Sequence, residues 1–276
     1  MDRTGSSRTV DRMKIEPGTR AVVTGASSGI GRALAAALAH RGAQVGLLAR
    51  SLRELEALAD ALPGLHVALP CDVGDAAAVQ AATDRFVAEA GRVDLVVANA
   101  GLTHYRPVAE QPLAEIEQMT RVNWLGTVHT VHAALPHLLG ARRGHIVVVS
   151  SGAGLRSFPG AAAYGATKAA QRGFSTALRH ELYGTGVSVT TVYPGEIATA
   201  LHDHEHERMP AWYQSGSARP ATTLAAKIVK AVERDRRELY YPPEVRLLSA
   251  VNGLSPTLAD RMLHRLRGAS AAPRLH

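Results

Sequence analysis

Tyr164 and Lys168 stand four residues apart in the run Ala163-Tyr164-Gly165-Ala166-Thr167-Lys168, and Ser151 precedes the tyrosine by thirteen residues. On a helix, positions i and i+4 share a face, so the ammonium would lie beside the phenol. A free tyrosine ionises near ~10, and a cation within reach favours phenolate, so the spacing predicts an acidified phenol able to trade a proton near neutrality. Tyr-x-x-x-Lys also arises by chance, as a core-edge tyrosine with an exposed lysine one turn on, so its weight comes from what surrounds it. Lys14, Lys168, Lys227 and Lys230 are the only lysines among 31 lysines and arginines. An arginine at 168 would stay charged throughout and serve a tunable pair less well.

A second candidate lies near the start of the chain. In Thr24-Gly25-Ala26-Ser27-Ser28-Gly29-Ile30-Gly31, three glycines follow a short β-branched run and open an alanine-rich helical stretch. Glycine allows a tight turn and lets a diphosphate approach bare amides, and the helix N-terminus adds partial positive charge. Gly25, Ser27, Ser28, Gly29, Ile30 and Gly31 are therefore candidate dinucleotide contacts, although the spacing differs from the G-x-G-x-x-G form. The second predicted strand ends in Leu48-Ala49-Arg50, without an acid to hold a ribose 2′-hydroxyl and with a guanidinium suited to a 2′-phosphate. Arg50 thus points to NADP(H) as the cofactor.

These residues need a frame. Apolar runs at 21–24, 44–49, 66–69, 94–98, 146–150, 187–193 and 238–241 read as strands. Helical patterns over 31–40, 51–61, 75–90, 113–139, the stretch carrying Tyr164 through Leu182, and 224–234 alternate with them, Pro136 being expected to bend or end the longest. Such alternation predicts an α/β fold, a single Rossmann-type doubly wound parallel sheet with helices on both faces. Residues 1–16 are expected to form a disordered leader, with Met1 or Met13 as the start; 17–243 form the Rossmann-fold domain; 244–276 form a helical extension packed on it.

Composition narrows the function classes. The 276 residues carry a net charge of +7, but the excess is dispersed arginine without basic runs interleaved with aromatics, which argues against a nucleic-acid partner. Cys71 is the single cysteine and reads as a small strand-end residue; a cysteine-rich metal site and an intrachain disulfide are excluded, and a reducing cytoplasm is the default location. No apolar stretch is long enough to span a bilayer. The stretch His202-Asp203-His204-Glu205-His206-Glu207 holds metal-ligand types, yet it is read as part of a charged lid and no metal is assigned.

With the glycine loop, Asn99-Ala100-Gly101, Asn123, Ser151, Tyr164 and Lys168 in this order, residues from about Arg20 to Thr199 resemble the short-chain dehydrogenase/reductase superfamily. The resemblance implies Tyr164 as general acid or base, Ser151 polarising the substrate oxygen, Lys168 holding the nicotinamide ribose and tuning Tyr164, and Asn123 anchoring a water in a proton relay. It also implies Asp72 and Val73 along the adenine, Asn99, Ala100 and Gly101 lining the cofactor, and Pro194, Gly195, Ile197 and Thr199 at the nicotinamide carboxamide. Ala98 departs from the pattern, where many relatives carry another asparagine. A homodimer or homotetramer is the implied assembly.

The function expected is NADP(H)-dependent hydride transfer between a ketone or aldehyde and an alcohol on an apolar small molecule. Residues 102–108, 155–162 and 200–218 would form its pocket, with Pro107, Leu155, Phe158, Trp212 and Tyr213 hinting at a lipophilic ligand. A 3-oxoacyl-thioester reductase, disfavoured by the extension, and a non-catalytic NADP-binding regulatory protein are the alternatives. Beyond Pro243, Leu247, Leu248, Val251 and Leu254, then Met262, Leu263 and Leu266 beside Arg261, Arg265 and Arg267, fall at helical spacing. This extension covers the cleft, packs between subunits or lies on a membrane surface; packing is favoured because Asn252-Gly253 and Pro256 break it into short pieces.

Overall fold

The computed structural model describes residues 12–199, 201, 205 and 218–266, the last five by their backbone alone. Seven parallel strands form one sheet in the order β3-β2-β1-β4-β5-β6-β9. They are β1 (Arg20–Thr24), β2 (Gln44–Ala49), β3 (Val67–Pro70), β4 (Leu95–Ala98), β5 (Gly144–Val149), β6 (Val187–Pro194) and β9 (Glu238–Tyr241). The central strands read as unbroken apolar runs because both faces are covered. In β1, Ala21 and Val23 face one core while Val22 faces the other, and in β5 Val147 and Val149 oppose Ile146 and Val148.

One layer is built from α1 (Gly29–Ala39), α2 (Leu52–Ala61) and α7 (Ala221–Glu233), which bury Leu34, Leu38, Leu55, Leu58, Leu224 and Ile228. The other comprises α3 (Ala76–Ala90), α5 (Gly126–Ala141) and α6 (Ala162–Glu181), burying Val79, Phe86, Val131, Leu138 and Leu178. Ser51 caps α2, and the Asp75 carboxylate accepts from the backbone N–H of Ala77 and Ala78 to start α3. Strand order reverses between β1 and β4, which opens a crevice at the carboxyl ends of those two strands.

Three expectations need correction. The helix anticipated over 113–139 is α4 (Leu113–Met119), a π-helical turn over Thr120–Leu125, and then α5. The wider turn carries Asn123 inward, where it is fully buried. Pro136 lies within α5 and does not end it: it is on the exposed side, as is His132 one turn earlier, so the carbonyl the proline leaves unpaired faces water. The leader expected through residue 16 ends sooner, since Ile15 is buried in the α1 layer and Met13 packs against it. Residues 1–11 lie outside the described residues. A two-residue pair, β7 (Ile197–Ala198) with β8 (Arg219–Pro220), was not foreseen because runs so short carry no periodicity.

After β9, the extension forms α8 (Glu244–Leu254) and α9 (Pro256–Leu266). Val245 lies over Gly152 and Gly195, Asn252 donates to the Leu155 carbonyl at 3.5 Å, Asp260 pairs with Arg156, and Ala259 is buried.

Candidate active site

The crevice begins at the glycine loop. Gly25 takes φ +67°, and a β-carbon on Gly31 would fall 2.1 Å from the Gly25 carbonyl oxygen, so the loop folds back on the first turn of α1 as only glycine permits. Asn99 clamps this loop to the end of β4: its Nδ2 donates to the Thr24 carbonyl at 2.9 Å, and the Thr24 hydroxyl accepts from the backbone N–H groups of Asn99 and Ala100. The start of α1 has no side-chain cap and no acid in its first turn. Its amides are left for a ligand, and phosphate is the fitting one.

From there the cleft runs along Asn99, Ala100, Gly101 and Leu102 to Val149, Ser150 and Ser151, and is closed by Tyr164, Lys168, Pro194, Gly195, Ile197, Thr199 and Leu201. Ser151 follows β5 and Tyr164 lies in the first turn of α6, so the sheet and the helix bring together residues thirteen apart in sequence. Both side chains line this cleft. The Lys168 ammonium lies 5.8 Å from the Tyr164 ring centre and donates to the Val149 carbonyl at 3.1 Å, while the Ser150 hydroxyl donates to the Lys168 carbonyl at 2.8 Å. Val149 and Ser150 were missed in the sequence; their position at the end of a central strand, just before Ser151, was the available signal.

The electrostatics correct the expected acidification. Burial pushes the Tyr164 phenol up to about 12, with the Ser151 side chain a lesser opposing influence. Burial also takes Lys168 down to about 7, so the cation meant to acidify the phenol is itself weakened. Within this chain alone Tyr164 stays protonated at neutral pH.

Asn123 lies behind the cleft, fully buried. Its Nδ2 donates to the Leu102 carbonyl at 2.9 Å and to the Thr167 hydroxyl at 3.1 Å, and its Oδ1 accepts from the Leu102 N–H at 2.8 Å. Both amide protons are engaged, and the side chain pins the loop after β4 to α6. Asn123, Ser27, Gly31, Arg50, Asp72 and Val73 are not among the residues lining the cleft. Arg50 is exposed, directly after β2, whose Leu48 carbonyl accepts from Ala26 of the glycine loop. Asp72 turns its carboxylate onto the Gly74 N–H, and Val73 is packed in the α3 layer. Cys71 is buried, and burial pushes its thiol up to about 11, which leaves it unreactive.

Near Tyr164, Tyr105 meets the Tyr164 ring edge-on at 6.0 Å and Phe158 at 5.7 Å, making an apolar wall. Glu205, buried, accepts from the Tyr105 N–H and sits 3.0 Å from His104 Nδ1. The rest of the histidine-rich stretch lies outside the described residues.

Residues 19–210 match the family model for short chain dehydrogenases. This chain is a short-chain dehydrogenase/reductase. Similar to it is an oxidoreductase of Myxococcus xanthus, not further characterised, 36% identical over 90% of this chain and 97% of that protein. The putative oxidoreductase SadH of Mycobacterium tuberculosis is also 36% identical, over 86% of this chain and 83% of its own. Among solved structures, a short-chain dehydrogenase/reductase from Burkholderia phymatum in complex with NAD superposes with a TM-score of 0.82 at 28% identity, covering 89% of this chain and 96% of that one. The short-chain dehydrogenase/reductase described here is thus an oxidoreductase with a Rossmann-like fold of the nicotinamide-using kind.

Proposed function

We propose that the protein interconverts a carbonyl and an alcohol on an apolar small molecule with NADP(H), Tyr164 acting as the general acid or base. The observation carrying this reading is that Ser151, Tyr164 and Lys168 line one cleft with the uncapped start of α1. The residues present fit a nicotinamide dinucleotide: the amides at the start of α1 would take its diphosphate, with Asn99, Ala100 and Gly101 beside it and Pro194, Gly195, Ile197 and Thr199 at the far end. When bound, that group supplies or accepts the hydride. The remaining chemistry is the chain's own. Ser151 holds the substrate oxygen, and Tyr164, protonated at neutral pH, gives that oxygen its proton during reduction. Lys168 lies beside the same phenol and, with burial taking it down to about 7, can pass a proton on near neutrality.

NADP(H) is preferred over NAD(H) because Arg50 follows β2 where a carboxylate would be needed for an unphosphorylated ribose. An apolar substrate fits the wall of Leu102, Tyr105 and Phe158. A panel of aliphatic and aromatic ketones and alcohols, followed by nicotinamide absorbance with each cofactor, tests the reading. Turnover of at least one carbonyl with NADPH above NADH is the expected result; no turnover with either cofactor across the panel contradicts it.

A further inference from the structure

On the outer side of the elements that follow the cleft, α7, β9 and α8 enclose a groove lined by Lys227, Lys230, Arg234, Arg236 and Arg246, all exposed. Two of the four lysines in the chain are here. Among the described residues none of the five is ion-paired. Glu238, the only carboxylate lining the groove, accepts from the hydroxyls of Tyr193 and Tyr240 at 3.2 and 2.8 Å. Lys227 rests 5.2 Å over the Tyr241 ring. Five cations share this groove with a single carboxylate among the described residues that line it, and they repel one another.

The adjoining helix is apolar on its outer side. Val245 and Asn252, seven residues apart, face the body of the protein. Leu247 and Leu254, also seven apart, fall on the opposite side and are 63% and 89% exposed, continued by Leu258 of α9 at 49%. Arg246, which lines the groove, borders this leucine stripe. A basic rim beside exposed leucines on a short helix has the chemistry of an interfacial surface, in which apolar side chains enter the acyl boundary while cations meet anionic headgroups.

We propose that this face docks the protein on an anionic lipid bilayer. Charge decides the occupant. A second copy joined by a twofold axis would set the basic groove against itself, in a chain already at +7. A bilayer bearing negative headgroups satisfies both halves of the surface at once. Since no described helix is long and apolar enough to cross a membrane, the association is peripheral. It would also hold the inner side of α8, which lies over Gly152 and Leu155 beside the cleft, close to a store of lipophilic molecules.

The full chain is to be sedimented with phosphatidylcholine vesicles with and without phosphatidylglycerol. Binding is expected only with the anionic lipid and should weaken as salt rises. A basic side chain near such a surface is worth about fivefold in partitioning, so Lys227→Gln, Lys230→Gln and Arg246→Gln together should lower it by about a hundredfold. Leu247→Ser with Leu254→Ser should lower it by about tenfold or more. These side chains are exposed, and matching thermal midpoints will show that the variants fold. No binding to anionic vesicles, equal binding to both kinds, or unchanged binding of the charge variant overturns the proposal. Loss of self-association in the leucine variant, seen by light scattering, assigns the face to a second copy and also overturns it.

Discussion

The sheet holds a buried polar cluster at each end, and the two are finished differently. At the amino ends of β1, β4 and β5, Asp94 accepts from the Arg20 N–H at 2.9 Å, from Arg92 at 3.0 Å and from Arg143 at 2.8 Å. Burial alone would raise this carboxyl, but those partners outweigh it and leave it below the usual range. His145, fully buried and held down to about 4, sits 2.7 Å from the Thr190 hydroxyl. At the carboxyl ends, Tyr164 and Lys168 are equally buried, but among the described residues no opposite charge faces them. Burial pushes both toward their neutral forms. One cluster closes on itself and stabilises the fold; in the function proposed above, the other leaves titratable groups poised for a reactant, at some cost in stability.

The largest expected effect breaks the poised end. Tyr164→Phe removes the proton source while keeping ring and packing, so turnover should fall by about a thousandfold or more with nucleotide binding intact, as judged by steady-state rates and by titration of bound nucleotide. Activity near that of the original chain would detach Tyr164 from the chemistry.

Stability distinguishes the two ends next. Lys168→Met should abolish turnover yet raise the unfolding free energy at neutral pH by about 1 to 3 kcal/mol, because an unpaired buried cation is removed. The folded chain releases the Lys168 proton near 7 and the unfolded chain at 10.5, so the unfolded state binds more protons in between and stability rises with pH across that window. Thermal unfolding of the variant should lack the rise. His145 acts at the other end of the scale. Its folded value of about 4 lies below the ordinary 6.5, so its contribution is complete above 6.5 and is lost as pH falls toward 4. That loss is at most about 3 kcal/mol, and His145→Gln should flatten the decline with little change in turnover.

The frame of these clusters was legible because each strand is an apolar run bounded by turn residues, and each helix buries a stripe at helical spacing. Ser151, Tyr164 and Lys168 could be found because their types and order are unusual together. The protonation states could not be read in the same way: the spacing of Lys168 from Tyr164 shows proximity, but whether attraction or desolvation dominates depends on burial, to which residues distant in sequence contribute. Asn123 was likewise visible as a residue and not as a contact, since its partners Leu102 and Thr167, 21 and 44 residues away in sequence, become neighbours only in the fold. The Asp94 cluster went unnoticed because its arginines, at 92 and 143, look in sequence like any of the dispersed basic residues.

Nucleotide choice is the smallest effect and tests whether the poised end also selects at its exposed rim. Arg50 is solvated, so a bond from its guanidinium to a 2′-phosphate is worth about 1.5 to 3 kcal/mol at most and less once screened. Arg50→Asp exchanges that donor for an acceptor suited to a free ribose hydroxyl. The ratio of kcat/KM for NADPH over NADH should therefore fall by about ten- to a hundredfold, with kcat for the better cofactor nearly unchanged because Arg50 touches no reacting group. A drop in kcat with both cofactors would instead point to damage of the glycine loop, which hangs on β2 through the bond from Ala26 to Leu48. An unchanged ratio would leave Arg50 as the solvated residue before α2 and move the selectivity elsewhere on the rim.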